Sequence, residues 1–317
     1  MFDLSNVLKD ANTIGITGHI RPDGDCVGST MAMYMYLNKI FPEKSIDIFL
    51  EPIPDAYACI NRLDEVRTDF STDVESYDAF LVIDCDSTRC GNAQVFFDNA
   101  KLKINVDHHI SNPGCGDVNY IVPSASSASE LVFDLIGEEG LDDDIALAIY
   151  LGMIHDCGVF QYSNTSSKTL ENAAKLIKYN FDFSKIIEET FYQKTYLQNQ
   201  LLAKAITGSK LILDGHAIYS VLSRETLDEF GAKSSDMDGI VNQLRNTKGV
   251  DCAIFMYELE AGGYKISMRS NEKVNVSAIS KEFGGGGHVR AAGVTMEGTA
   301  EEIVSKLSAL IEGQLNS

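Results

Sequence analysis

In the first half of the chain, short runs rich in Ile, Val and Phe alternate with helical patterns, and almost every run ends in acidic or histidine residues. Ile14–Thr17, Ile46–Leu50, Phe80–Ile83 and Lys103–Val106 are expected as strands, and Ser29–Ile40 as a helix between the first two. A second helix is expected over Ser126–Ile136, with Ser126 as N-cap. A third is capped by Asp142–Asp144, with Ile145, Ala148, Ile149, Gly152 and Met153 on one face, and a fourth covers Lys168–Tyr179. This alternation constrains the fold strongly: it predicts βαβ units and a mostly parallel sheet with helices on both faces. In such sheets ligands bind beyond the carboxyl ends of the strands.

The rhythm changes near residue 185. A helix-prone stretch, Lys185–Ala205, precedes two hairpin patterns. Leu211–Leu213 faces Ala217–Val221 across Asp214-Gly215, and Ala253–Leu259 faces Tyr264–Met268 across Gly262-Gly263. Helices at Asp236–Asn246, Val276–Phe283 and Ala300–Ile311 and a strand at Ala291–Met296 complete a smaller α+β domain. The expected organisation is an α/β domain over residues 1–185, a helical linker over 186–205 and a C-terminal α+β domain over 206–317.

The six histidines are few enough to be informative. His19 follows the first strand, in the segment that runs through Asp23, Gly24 and Asp25. Asp84 and Asp86 follow the third strand, and Asp107, His108 and His109 follow the fourth. His155 and Asp156 end the third helix. Carboxylates gathered at one sheet edge repel one another unless protonated or neutralised, and divalent cations remove that cost. In an extended loop Asp23 and Asp25 point the same way, so each could serve one of two ions, and Asp84 could bridge both. Mixed carboxylate and imidazole donors suit Mn²⁺, and also Mg²⁺ or Co²⁺. Two such ions activate water and stabilise a phosphoryl group in transfer.

Net charge narrows the substrate. With 26 Lys and Arg against 46 Asp and Glu the chain carries −20, which opposes tight binding of long DNA or RNA. No apolar run approaches the ~18 residues of a membrane span. The seven cysteines form no CxxC pair, and without an export signal a reduced cytoplasmic setting is expected.

Several segments together resemble the DHH/DHHA1 phosphoesterase superfamily, in its nanoRNase and pAp-phosphatase-like branch: HIRPDGDCVGS (19–29), Val82–Asp86 with Arg89, VDHHISN (106–112), GMIHDCGVFQYSNTS (152–166) and FGGGGHVRAAG (283–293). The resemblance implies a two-Mn²⁺ centre in which His19 and Asp23 hold one ion, Asp25, His108 and Asp156 hold the other, and Asp84 bridges. It casts His109 as a catalytic group facing the substrate phosphate, with Asp86 and Asp107 orienting imidazoles and bound water. Arg21 stands where many relatives carry Asn. In the second domain, Gly284–Gly287 could expose backbone N–H groups to an anion or could form a flexible turn. The resemblance favours the first, with Arg269, Ser270, Gly286, Gly287 and His288 gripping the nucleotide away from the scissile bond.

The reaction implied is phosphoester hydrolysis by water activated between two metal ions. The implied substrates are short oligoribonucleotides, linear dinucleotides such as pApA or pGpG, and 3′-phosphoadenosine 5′-phosphate (pAp). A homodimer is a compatible assembly. The alternatives are a cyclic-di-AMP phosphodiesterase, a non-catalytic nucleotide sensor, and a family II inorganic pyrophosphatase, whose basic Ser-Arg-Lys-Lys-type motif is replaced here by the GGGGH loop.

Overall fold

The computed structural model describes residues 4–316, apart from the side chain of His288. It divides into two units, one ending at Gln193 and the other beginning at Lys194. The first unit contains α1 (Leu4–Leu8), β1 (Thr13–Thr17), α2 (Gly24–Ile40), β2 (Ser45–Phe49), β3 (Ala79–Ile83), α3 (Gln94–Asn99), β4 (Leu102–Asp107) and β5 (Val118–Ile121). It continues with α4 (Ala128–Ile136), α5 (Asp143–Asp156), α6 (Ser167–Leu176) and α7 (Phe183–Ile187). A π-helical turn, Glu188–Tyr192, follows.

The five strands form one sheet in the order β2-β1-β3-β4-β5, every neighbouring pair parallel. Every residue of the central strand β3 is buried. Strand periodicity sends its side chains to opposite faces. Ala79, Leu81 and Ile83 join the core that contains residues of α2, α4 and α5. Phe80 and Val82 join the aromatic core with Phe49, Tyr77 and Phe97. Because β2 and β3 flank β1 on opposite sides, the strand order reverses between β1 and β3. That places the switch point where this class of sheet binds ligands.

Several expected boundaries shift for physical reasons. Helix α2 begins at Gly24 rather than Ser29, because the Asp23 carboxylate accepts the N–H groups of Asp25 and Cys26 and acts as the N-cap. Asp23 and Asp25 therefore lie on a cap and a first helical turn, not in an extended loop. Ser127, not Ser126, caps α4, its hydroxyl accepting the Glu130 N–H. Helix α6 ends at Leu176, and the half-exposed edge strand β5 was not anticipated. The helix-prone 185–205 stretch resolves into α7, the π turn and a separate helix that opens the second unit.

The second unit contains α8 (Tyr196–Thr207), β6 (Lys210–Ile212), β7 (Ala217–Leu222), α9 (Arg224–Phe230), α10 (Ile240–Arg245), β8 (Cys252–Glu258) and β9 (Tyr264–Ser270). It ends with α11 (Val276–Glu282), β10 (Gly286–His288), β11 (Ala291–Met296) and α12 (Ala300–Leu315). Its sheet runs β10-β11-β9-β8-β7-β6. Both expected hairpins form, as β6–β7 and β8–β9, while β7 and β8 pair parallel. Strand β8 again feeds two cores: Ile254 and Met256 face α11 and α12, and Ala253 and Phe255 face α8 and α10. The expected Asp236–Asn246 helix is a 3₁₀ turn followed by the shorter α10, broken at Gly239, whose φ of 84° suits glycine.

Candidate metal centre

Five elements of the first unit deliver the acidic and histidine groups to one edge of its sheet. His19 follows β1, Asp84 follows β3, and His108 and His109 follow β4. Asp23 and Asp25 begin α2, and Asp156 ends α5. At the middle stands Asp84, 2% exposed. Its backbone is in the left-handed region at φ 66°, a strained conformation of the kind that clusters at functional sites, and its N–H donates to Val106 C=O at 2.9 Å. One carboxylate oxygen, Oδ2, lies 3.4 Å from His19 Nε2, and the other, Oδ1, lies 3.4 Å from His108 Nε2. His19 Nε2 is also 3.6 Å from Asp23, and His108 Nε2 is 3.5 Å from Asp156 and 3.8 Å from Asp25.

Asp84 Oδ1 is buried without a hydrogen-bond partner. An unsatisfied buried carboxylate oxygen costs free energy, and a cation is the partner that would remove the cost. The donor atoms of Asp25, His108 and Asp156 lie within 4.8 Å of one another, as do those of His19, Cys26 and Asp84, and those of Asp84, Asp107, His108 and His109. Carboxylates and imidazoles at this spacing fit divalent cations.

The same crowding shifts the acid–base balance of these groups. Burial pushes the Asp25 carboxyl well above the usual range, and the charges of Asp84 and Asp156 add to it. Burial likewise raises Asp156 to about 7, against the pull of His108. For His19 burial acts downward, but Asp23 and Asp84 outweigh it and raise the ring to about 11. His108 follows the same balance, burial opposed first by Asp84, and reaches about 10. Asp23, next to His19, is lowered to about 2 despite burial.

Two further devices hold these side chains in place, and neither was visible in local sequence. The Asp25 carboxylate accepts the N–H groups of Ala128 at 2.7 Å and Ser129 at 2.9 Å, so the N-terminus of α4 clamps it with backbone donors and a favourable dipole. Glycines allow the close approach. A Cβ on Gly152 would lie 1.9 Å from Ser129 Oγ and 3.0 Å from Asp25 Oδ1, and one on Gly24 would lie 2.3 Å from the His155 ring.

Asp107 is fully buried and accepts from His109 Nδ1 at 2.7 Å, from the N–H groups of His108 and His109, and from Asn112 Nδ2. The structure thus joins it to His109. Asp86, expected to orient imidazoles and bound water, has its carboxylate accepting the Thr88 N–H and hydroxyl and capping the turn Ser87–Arg89. In the second unit Arg269 is half-buried, and its Nη1 donates to Met268 C=O at 3.0 Å. Ser270 is 1% exposed and its hydroxyl donates to Val274 C=O at 2.6 Å, so that side chain secures the turn instead of facing a ligand. The glycine run is not a flexible turn. The N–H groups of Gly284 and Gly285 donate to Lys281 and Ser280 carbonyls, and Gly286 and Gly287 form β10, paired with Gly293 and Ala292. His288 closes that strand, and its side chain lies outside the described residues.

Comparison with known proteins places the chain in a family. Residues 13–153 match the DHH family N-terminal domain, and residues 214–316 match the DHHA1 domain. The chain is 31% identical over 317 residues to the bifunctional oligoribonuclease and PAP phosphatase NrnA of Bacillus subtilis, covering 97% of each protein. It is 28% identical to the NrnA protein of Thermus thermophilus, covering 93% of this chain and 88% of that one. Among solved structures, an exopolyphosphatase-related protein from Bacteroides fragilis superposes with a TM-score of 0.91 at 25% identity, over 98% of this chain and 94% of that one. With both domains matched and a full-length relative at this identity, the chain belongs to the DHH/DHHA1 phosphoesterase family and is a metal-dependent phosphoester hydrolase.

Proposed function

We propose that the protein hydrolyses short oligoribonucleotides and linear dinucleotides and removes phosphate from pAp, using two divalent cations of the Mn²⁺ class. The observation that carries this reading is the Asp84 carboxylate, which turns one oxygen to His19 and the other, unpartnered oxygen to His108. His19, Asp23 and Asp84 would hold one ion, and Asp25, His108, Asp156 and Asp84 the other. Bound there, the ions supply Lewis-acid charge at the phosphate and lower the pKa of water.

The chain's own groups supply the remainder. Asp107 lies below the ordinary carboxyl range, because the pairing with His109 outweighs its burial. An ionised carboxylate only accepts, so His109 Nδ1 carries a hydrogen toward Asp107 and the ring is held by that bond. His109 then serves as the acid that protonates the leaving oxygen or stabilises charge on the phosphate. Arg269, with the Gly286–His288 strand, binds the nucleotide's phosphate or base. The −20 charge supports short substrates, since a long polyanion is repelled by the surface beyond the cation-neutralised site.

The test is a turnover panel of pAp, pApA, pGpG, a labelled RNA pentamer, cyclic di-AMP and pyrophosphate, each with Mn²⁺, Mg²⁺ or Co²⁺ and with chelator. Mn²⁺-dependent release from pAp and the short RNAs is expected, with none from pyrophosphate. Preferential turnover of cyclic di-AMP would move the assignment to the cyclic substrate. Nucleotide binding without product would make the protein a sensor.

A further inference from the structure

The His19–Asp84 pair has two neighbours able to complete a metal site, and they differ in chemical softness. Asp23 is an oxygen donor, 61% exposed, and its Oδ1 already accepts the N–H groups of Asp25 and Cys26 at 3.1 Å each. Cys26, on the first turn of α2, is fully buried, with its Sγ within 4.8 Å of donor atoms of both His19 and Asp84. Gly18 makes room for the sulfur: a Cβ there would lie 2.3 Å from Sγ. The thiol donates to His19 C=O at 3.8 Å, a weak contact. Asp84, almost wholly buried, turns its Oδ2 to His19 Nε2 at 3.4 Å on this side of the cluster.

We propose that Cys26 is an alternative ligand of this centre, so that a thiophilic divalent ion, Zn²⁺ or Cd²⁺, is taken up by His19, Cys26 and Asp84 through sulfur. Hard ions such as Mn²⁺ and Mg²⁺ favour oxygen and imidazole and would take Asp23, whereas softer ions favour thiolate. As the sulfur–metal bond forms, the S–H bond breaks and its proton passes to water. The centre would then discriminate ions by which ligand they recruit, and a soft ion would draw the site away from the Asp23 arrangement. The inference rests on the reading that His19 and Asp84 hold an ion.

The experiment titrates metal-free, full-length protein with a spin-active Cd²⁺ isotope and follows cadmium magnetic resonance together with thiolate-to-cadmium absorption in the ultraviolet. A resonance in the range of mixed sulfur, nitrogen and oxygen ligation is expected, with an absorption band that excess Mn²⁺ suppresses. Cys26→Ala should abolish the band and move the resonance to the nitrogen–oxygen range, while Cys59→Ala and Cys115→Ala should leave both unchanged. Cd²⁺ bound by wild-type protein with nitrogen–oxygen ligation alone overturns the proposal, and this arm needs no variant to fold. No Cd²⁺ uptake at all would overturn the metal-centre reading as well, so the two failures are distinguishable.

Discussion

In the first unit, charged groups from four other structural elements converge on the buried Asp84 and leave one of its oxygens without a partner. In the second unit, the polar groups on and beside the β9–β11 sheet are mostly engaged with their own neighbours: Ser270 with Val274, Gly284 and Gly285 with the end of α11, and Ser277 with Gly287 C=O. The contrast separates two kinds of site. The first crowds carboxylates that repel one another unless protonated or neutralised, so its residues are identified by what folding leaves unsatisfied. The second is a well-paired scaffold, its polar groups largely engaged within the unit.

The sharpest way to break that distinction is Asp84→Asn, which keeps the shape and removes the charge that both imidazoles face. Turnover should fall by more than the about 10²–10³-fold that loss of one charge-stabilising donor costs. Calorimetry should also show weakened uptake at both metal positions. Near-normal turnover in this variant would mean that Asp84 bridges nothing.

His109→Asn separates chemistry from metal binding within the same unit. We expect kcat to drop by about 10²-fold, the lower end for a general acid, while Mn²⁺ affinity holds. An equal loss of Mn²⁺ affinity would make His109 a ligand.

A third test uses protons. In the metal-free protein burial holds Asp156 near about 7, and carboxylate neighbours hold His108 at about 10 and His19 at about 11 against burial. All three therefore carry protons at or below neutral pH, and an incoming ion must displace them. Apparent Mn²⁺ affinity should rise with pH by about tenfold per unit for each proton displaced. Titrations in buffers of different ionisation enthalpy would count those protons, and an affinity flat across neutral pH would show that the carboxyl and imidazole groups do not ligate.

The legibility of the chain follows the same divide. Strands β1, β3 and β4 were readable because strands covered on both faces read as apolar runs, and acids or histidines stand at or just beyond their ends. Strand β5 was not, since Val118–Ile121 is a short edge with no residue fully buried. The start of α2 was hidden because Asp23-Gly24 reads equally as a turn, and only its accepted N–H groups reveal a cap. The clamp on Asp25 joins residues 103 and 104 positions apart, beyond any local signal. Hairpins around Gly262-Gly263 were local and readable, whereas the parallel β7–β8 pairing depends on the crossover through α9 and α10.

The smallest predicted effects lie in the second unit and test whether its pairing is scaffold or recognition. Arg269 and Ser270 are adjacent on β9, yet the guanidinium is half-buried whereas the hydroxyl is wholly committed to Val274. Arg269→Ala should raise KM for pAp about tenfold, the low end for a charge-assisted hydrogen bond, with kcat little changed. Ser270→Ala should leave KM alone and cost about 1 kcal/mol of stability, the usual net worth of one internal hydrogen bond, measured by denaturant unfolding. If Ser270→Ala instead raised KM as much as Arg269→Ala without loss of stability, the hydroxyl must leave Val274 on binding, and the second unit would not be the pre-paired scaffold that the contrast requires.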